Sequence, residues 1–447
     1  NGIKINKSLG EVLKSDEAGI ISAVQHVRAE EYSQSASATA FDACGMLKRA
    51  PELPPIDDAA EHAYLRRYLD SFRRDGLSGM RILVYQHSAV GRDILARILR
   101  ELGAEVVTVG RSETFIPIDT ENITDEQLAR LEEFTVAAET DGQPISAIVS
   151  TDGDSDRPLV TAVLPAAAVA AEARRVRFLP GDLLGAVVAK YLRVDAAAVP
   201  ISANDAVERH LREHKIILQQ TKIGSPYVVA ALDDLRANGK YQRIVGWEAN
   251  GGFLTGSDIE LNGATLTALP TRDALLPILV NLFSAAEQRL NLAALWDDLP
   301  ARYGRAGLLD DFPVEASQRI LAQLIPAGMV TEVEFDHSNG VIDSSRVDGS
   351  RTILDGSAAA DWRRCQATLT RFFTTALGFD AVARINVLDG VRVYFRNGDI
   401  AHIRPSGNAP QLRIYAVSAS QPRADRIVDV ALDEPDGILR RLERAFS

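Results

Sequence analysis

Runs of apolar residues alternate with amphipathic stretches along most of the chain, and that rhythm predicts the elements. Arg81 to Gln86 is a short β-type run. A small-residue turn, His87-Ser88-Ala89-Val90-Gly91, follows it, then a helix from Asp93 to Leu102 and a strand from Glu105 to Val109. This is a βαβ unit, so a parallel or mixed sheet is expected. Tyr64 to Phe72 has helical period, and Ile145 to Ser150 reads as a buried strand. The rhythm returns further on, with helices at Gly181 to Leu192, Ala206 to Glu213 and Tyr227 to Arg236 and a long one at Thr271 to Arg289. Strands are expected at Ala198 to Ile201, Ile216 to Gln220 and Tyr241 to Gly246.

The two ends differ from this middle. Near the start, Ser15-Asp16-Glu17 marks a helix whose Ile20, Ile21, Val24 and Val27 would form one apolar face. Pro51, Pro54 and Pro55 then break the chain. Beyond residue 305, helices at Ala316 to Ile325, Asp361 to Leu377 and Asp436 to Ala445 mix with strands at Val330 to Phe335, Ala383 to Leu388, Val391 to Phe395 and Gln411 to Val417. That order suits an α+β domain. The division expected is 1–55, 56–175 (α/β), 176–304 (α/β) and 305–447 (α+β).

Composition narrows the class. The chain has 447 residues, 46% of them hydrophobic and 25% charged, which is globular rather than disordered. No apolar run reaches the roughly 18 residues of a membrane span. The formal charge of -12 argues against nucleic acid or an anionic membrane as partner. Cys44 and Cys365 are far apart and form no CxxC, so a cytoplasmic setting without disulfides is expected.

Candidate chemistry concentrates in a few loops. Asp152, Asp154 and Asp156 alternate in a loop that follows a buried strand. Carboxylates that close repel one another, and a bound cation relieves them. All-oxygen ligands suit Mg²⁺ or Ca²⁺. An EF-hand is excluded, because its sixth and twelfth positions would be Arg157 and Val163. Arg404-Pro405-Ser406-Gly407-Asn408-Ala409-Pro410 offers a guanidinium, a hydroxyl and freed backbone N–H groups, as a phosphate cradle needs, or forms a plain turn. Glu248-Ala249-Asn250-Gly251-Gly252 can exchange hydrogen bonds with sugar hydroxyls. His87-Ser88 lacks the setting of a nucleophile elbow. Most of the other histidines are expected at the surface or satisfied in the core.

Taken in order, these loops resemble the α-D-phosphohexomutase superfamily, the phosphomannomutases, phosphoglucomutases and phosphoglucosamine mutases. Asp152 to Arg157 is similar to its metal loop. Gly246 to Gly252 is similar to its sugar loop, with Asn250 where serine is usual, and Arg404 to Pro410 to its phosphate loop, with Asn408 where threonine is usual. Thr221 to Tyr227 is similar to a loop that helps set the sugar's orientation. Asn1-Gly2-Ile3-Lys4 matches a motif a few residues after the family's phosphoserine. The resemblance therefore implies that most of the first domain, with that serine, precedes Asn1.

It further implies four domains around a cleft and an isomerase that interconverts hexose phosphates through a phosphoserine and a bisphosphorylated sugar. Mg²⁺ would lie on Asp152, Asp154 and Asp156, with Lys4 as acid/base. Substrate contacts would come from Arg157, Lys222, Glu248, Asn250, Arg404, Ser406, Gly407 and Asn408. Mannose phosphates are the preferred substrates and glucose phosphates the runner-up. A non-catalytic sugar-phosphate binding protein is the alternative from another class.

Overall fold

The computed structural model describes residues 5–7, 10–121, 123–169, 173–346, 349–406 and 409–446. Three large sheets organise it. In the first, strands run in the order Glu105–Val109, Arg81–Tyr85, Ala147–Thr151, Pro158–Val163, Val176–Phe178. The first three are parallel and the last two antiparallel, so the sheet is mixed. The second runs Leu269–Asp273, Phe253–Thr255, Ile244–Trp247, Ala196–Pro200, Ile217–Thr221. Its last three strands are parallel. Parallel neighbours force helical crossovers, which is why both sheets carry helices. The third sheet has eight strands, antiparallel throughout, between Tyr303 and Ser418. The fold is thus α/β followed by α+β.

The buried apolar side chains divide unevenly. One continuous core runs through the first two sheets, from Leu65 to Leu299, and includes Tyr68, Val149, Val160, Leu184, Trp247 and Phe283. The α+β part has its own core, from Leu309 to Leu442. The two parts meet mainly through polar contacts. Arg392 donates to the Ile201 and Ala203 carbonyls at 2.6 and 2.9 Å, and Arg302 Nε pairs with Asp205 at 2.6 Å.

Several expectations are corrected. The helix Glu17–Ser33 forms but buries no residue, and Ile21, Val24 and Val27 are exposed. The long helix begins at Leu275, because Leu269–Asp273 is an edge strand paired with Phe253–Thr255. Arg404 and Pro405 are the last two residues of a strand, Ile400–Pro405, rather than the start of a loop. The helix Asp125–Ala138 went unpredicted, although its start carries a capping box: Thr124 Oγ1 accepts from Gln127 N–H, and the Gln127 side chain accepts from Thr124 N–H.

Candidate functional site

The acidic turn is built between two buried strands, Ala147–Thr151 and Pro158–Val163. Asp152 N–H donates to the Arg157 carbonyl at 3.0 Å, closing the loop. One Asp152 carboxylate oxygen accepts from Asp156 N–H and Arg157 N–H at 3.1 and 3.2 Å. Ser155 sits at the apex in the left-handed region, at φ 63°. Its Oγ accepts from Gly91 N–H at 2.8 Å and from Thr151 Oγ1 at 2.9 Å. The Gly91 turn is therefore a support for the acidic turn, and a Cβ on Gly91 would lie 2.8 Å from Ser155 Cβ. His87 and Ser88 do not form a nucleophile pair. His87 Nε2 bonds the Thr151 carbonyl at 2.8 Å, and Ser88 Oγ accepts from Ile116 N–H at 2.8 Å.

The ligand atoms of Asp152, Asp154 and Asp156 lie within 4.8 Å of one another. Burial raises the Asp152 carboxyl to about 7, and the Asp156 charge and Asp154 push the same way. An oxygen cluster that destabilises its own charge in this way fits a divalent cation, which would hold all three ionised. In the unfolded chain Asp152 titrates near its ordinary value of 3.8. The folded state thus holds this proton more tightly, so without metal stability falls as pH rises from about 4 to about 7. Urea midpoints in chelator are expected to fall across that window, and added Mg²⁺ to shrink the fall.

Glu248 and Asn250 follow the strand Ile244–Trp247 and are buried. Gly251 N–H donates to the Glu248 carbonyl at 2.9 Å, and Gly252 N–H to Asn250 Oδ1 at 3.0 Å. The loop lies against Gly181 so closely that a Cβ there would stand 2.2 Å from Gly251 N. Burial raises the Glu248 carboxyl, while Arg272 and Arg157 pull it down.

Arg272 joins these two loops. Its guanidinium lies 3.1 Å from Asp156 Oδ2, 3.5 Å from Glu248 Oε2 and 3.7 Å from Glu11 Oε1. Burial opposes the guanidinium charge, but Asp156, Glu248 and Glu11 outweigh it and hold the pKa above the arginine range. Glu11 also accepts from Ser225 Oγ at 2.5 Å and Thr271 Oγ1 at 3.1 Å. That ties the first segment to the Thr221–Tyr227 region.

Arg404 is held in a similar way. Asp389 Oδ2 accepts from Arg404 Nε at 3.1 Å and from Ile223 N–H at 2.9 Å. One carboxylate so links the third sheet to the loop that holds Lys222. Lys222 is exposed, its Nζ 6.0 Å from the Tyr227 ring centroid. Ser406 N–H donates to the Gln411 carbonyl at 2.9 Å. Arg413 is the cross-strand neighbour of Arg404, so the two arginines extend from the same face of the sheet. Arg157 Nε lies 3.7 Å from both Asp152 and Asp156. Lys4, Gly407 and Asn408 lie outside the described residues.

Sequence reasoning missed Arg272, Asp389, Glu11 and Arg413. Only Arg413 carried a local signal, an arginine alternating with apolar residues shortly after the Arg404 loop.

The chain matches known proteins along most of its length. Residues 180–303 match the family description "Phosphoglucomutase/phosphomannomutase, alpha/beta/alpha domain III", and residues 364–434 match the C-terminal domain of the same family. A phosphomannomutase of Salmonella muenchen is 35% identical over 97% of this chain and 73% of its own length. One from Sinorhizobium fredii is 36% identical over 95% of this chain and 74% of its own. Among solved structures, a phosphoglucomutase/phosphomannomutase family protein from Burkholderia thailandensis superposes with a TM-score of 0.52 at 17% identity, a likeness of fold. That match covers 87% of this chain, which spans 65% of that protein.

Proposed function

The chain belongs to the phosphoglucomutase/phosphomannomutase family, whose members are isomerases, and from that membership we propose that its reaction is the reversible interconversion of mannose 6-phosphate and mannose 1-phosphate. The observation that carries this reading is the Arg272 node, which holds Asp156 of the acidic turn against Glu248 of the sugar loop. Phosphoryl transfer needs that juxtaposition, since it is accelerated by positioning and charge neutralisation rather than by covalent catalysis from many groups.

In this reading a sugar hydroxyl oxygen attacks the phosphorus of a phosphoserine. The serine O–P bond breaks, a new O–P bond gives a bisphosphorylated hexose, and the hydroxyl proton passes to a base, for which Lys4 is the candidate. The sugar then turns over, and its other phosphate returns to the serine. Asp152, Asp154 and Asp156 would hold Mg²⁺, which supplies charge neutralisation at the phosphoryl oxygens. Arg157 stands beside that turn to meet the same phosphate. Glu248 and Asn250 accept and donate to sugar hydroxyls in either orientation. Arg404, Ser406, Gly407 and Asn408 hold the non-reacting phosphate, with Arg413 and Lys222 adding positive charge. The bisphosphorylated hexose doubles as activator. Domain limits near residues 56, 176 and 305 and a cytoplasmic setting belong to the same reading. No helix among the described residues is long and apolar enough to cross a membrane.

The test is a steady-state assay of the full-length protein on mannose 1-phosphate and glucose 1-phosphate, with Mg²⁺ and a hexose bisphosphate. Turnover with the higher kcat/KM for mannose supports the proposal. Saturable binding of both sugars without turnover would sink it and leave a binding protein. Within this frame Arg404→Ala removes a charge-assisted contact of about 2 kcal/mol, so KM should rise roughly 30-fold. An unchanged KM would remove Arg404 from the phosphate site.

A further inference from the structure

Away from the acidic turn and the Arg404 loop, a cavity of about 500 Å³ opens among the helices Gly181–Tyr191 and Leu275–Gln288 and the hairpin Ile259–Leu266. Its walls include Lys190, His210, Arg243, Glu260 and Asp298. His210 is 2% exposed, yet neither ring nitrogen has a hydrogen-bond partner among the described residues. It is an exception among histidines mostly expected at the surface or satisfied in the core. Buried polar atoms are rarely left so, and each one calls for a partner.

The helix Asp205–Glu213 and its cap supply that partner's other contacts. His210, Glu213 and His214 stand at positions i, i+3 and i+4, which share one helix face. One ligand atom from each lies within 4.8 Å of the others. His214 Nδ1 bonds the His210 carbonyl at 2.9 Å. This fixes the ring and leaves Nε2 as the nitrogen with a free lone pair, the second-shell arrangement found behind metal-bound imidazoles. The site sits at a helix C-terminus, whose carbonyl dipoles favour a cation. Asp298, paired with Lys190 at 2.7 Å, adds a carboxylate to the same cavity wall.

We propose that His210, Glu213 and His214 form a second metal site, for a divalent transition ion of the zinc class. Two imidazoles and one carboxylate match that class and are a poor set for Mg²⁺, which prefers oxygen ligands throughout. Three protein ligands leave at least one coordination position open to water. The site is independent of the acidic turn, so the two can be filled by different ions.

The experiment uses full-length protein stripped by chelator and returned to excess Mg²⁺, which occupies the acidic turn. Zinc is then titrated by calorimetry, and Co²⁺ by its ligand-field absorption. One equivalent of Zn²⁺ should bind in the presence of Mg²⁺. His214→Ala, at an exposed position, should keep the native circular dichroism and weaken that equivalent on the order of 100-fold. His210→Asn should do the same from the buried side. The site is refuted if wild-type protein takes up no Zn²⁺ against excess Mg²⁺, or if His214→Ala binds it with unchanged stoichiometry and affinity.

Discussion

Asp154→Asn is expected to abolish Mg²⁺-dependent turnover while leaving the fold intact. The substitution keeps the shape of the side chain and removes one of three charges. Asp154 is exposed in the turn, whereas Asp152 is buried and fixed by two backbone N–H groups. The backbone N–H bonds to the Asp152 carboxylate do not involve the Asp154 side chain and survive the change. What is lost is cation affinity and with it several kcal/mol of charge stabilisation at the transferring phosphate, roughly a thousandfold in rate. The check is kcat as a function of Mg²⁺ concentration, beside a circular dichroism spectrum. Wild-type turnover in the variant would mean the acidic turn is not the metal site.

Arg272→Met should show the second-largest effect, on stability and activity together. Three carboxylates converge on this guanidinium, and the side chains of Asp156, Glu248 and Glu11 are 15%, 9% and 14% exposed. Removing the common partner leaves them facing one another with little water, at a cost of about 3 kcal/mol. Glu248, already raised by burial, would shift further up. That weakens it as the acceptor the proposed reading needs. A displacement of the sugar loop by an ångström is enough to cost kcat/KM about 100-fold. Arg272→Lys should restore part of both losses, since the charge returns without the fork. If Arg272→Met matches wild type in kcat/KM, the node is structural only, and the reading built on it loses its main support.

Parts of this were legible in the sequence for plain reasons. Val330–Phe335 and Val391–Phe395 were expected at their observed limits, because short β-branched runs bounded by turn residues carry their own boundaries. The acidic turn, the Glu248 loop and the Arg404 loop were visible because their chemistry is contiguous. Arg272 and Asp389 were not. Each sits in an ordinary local context and acquires meaning from partners distant in sequence, Glu11 at 261 positions and Ile223 at 166. Only the topology brings them together. The first helix failed in the opposite way, since an apolar stripe announces a face that wants covering but not whether anything described covers it. His210 lay in between: its spacing to His214 was readable, and its burial was not.

The division of the core has a thermodynamic consequence. One apolar cluster is shared by the first two sheets, the second belongs to the α+β part alone, and the joint between them is largely guanidinium to carbonyl and carboxylate. Polar joints of that kind exchange their partners for water when parted, whereas a shared core cannot be half dissolved. The first two sheets, although each also carries a smaller cluster of its own, are therefore expected to melt together and the α+β part separately, as two calorimetric transitions. A single unfolding free energy would then not describe it.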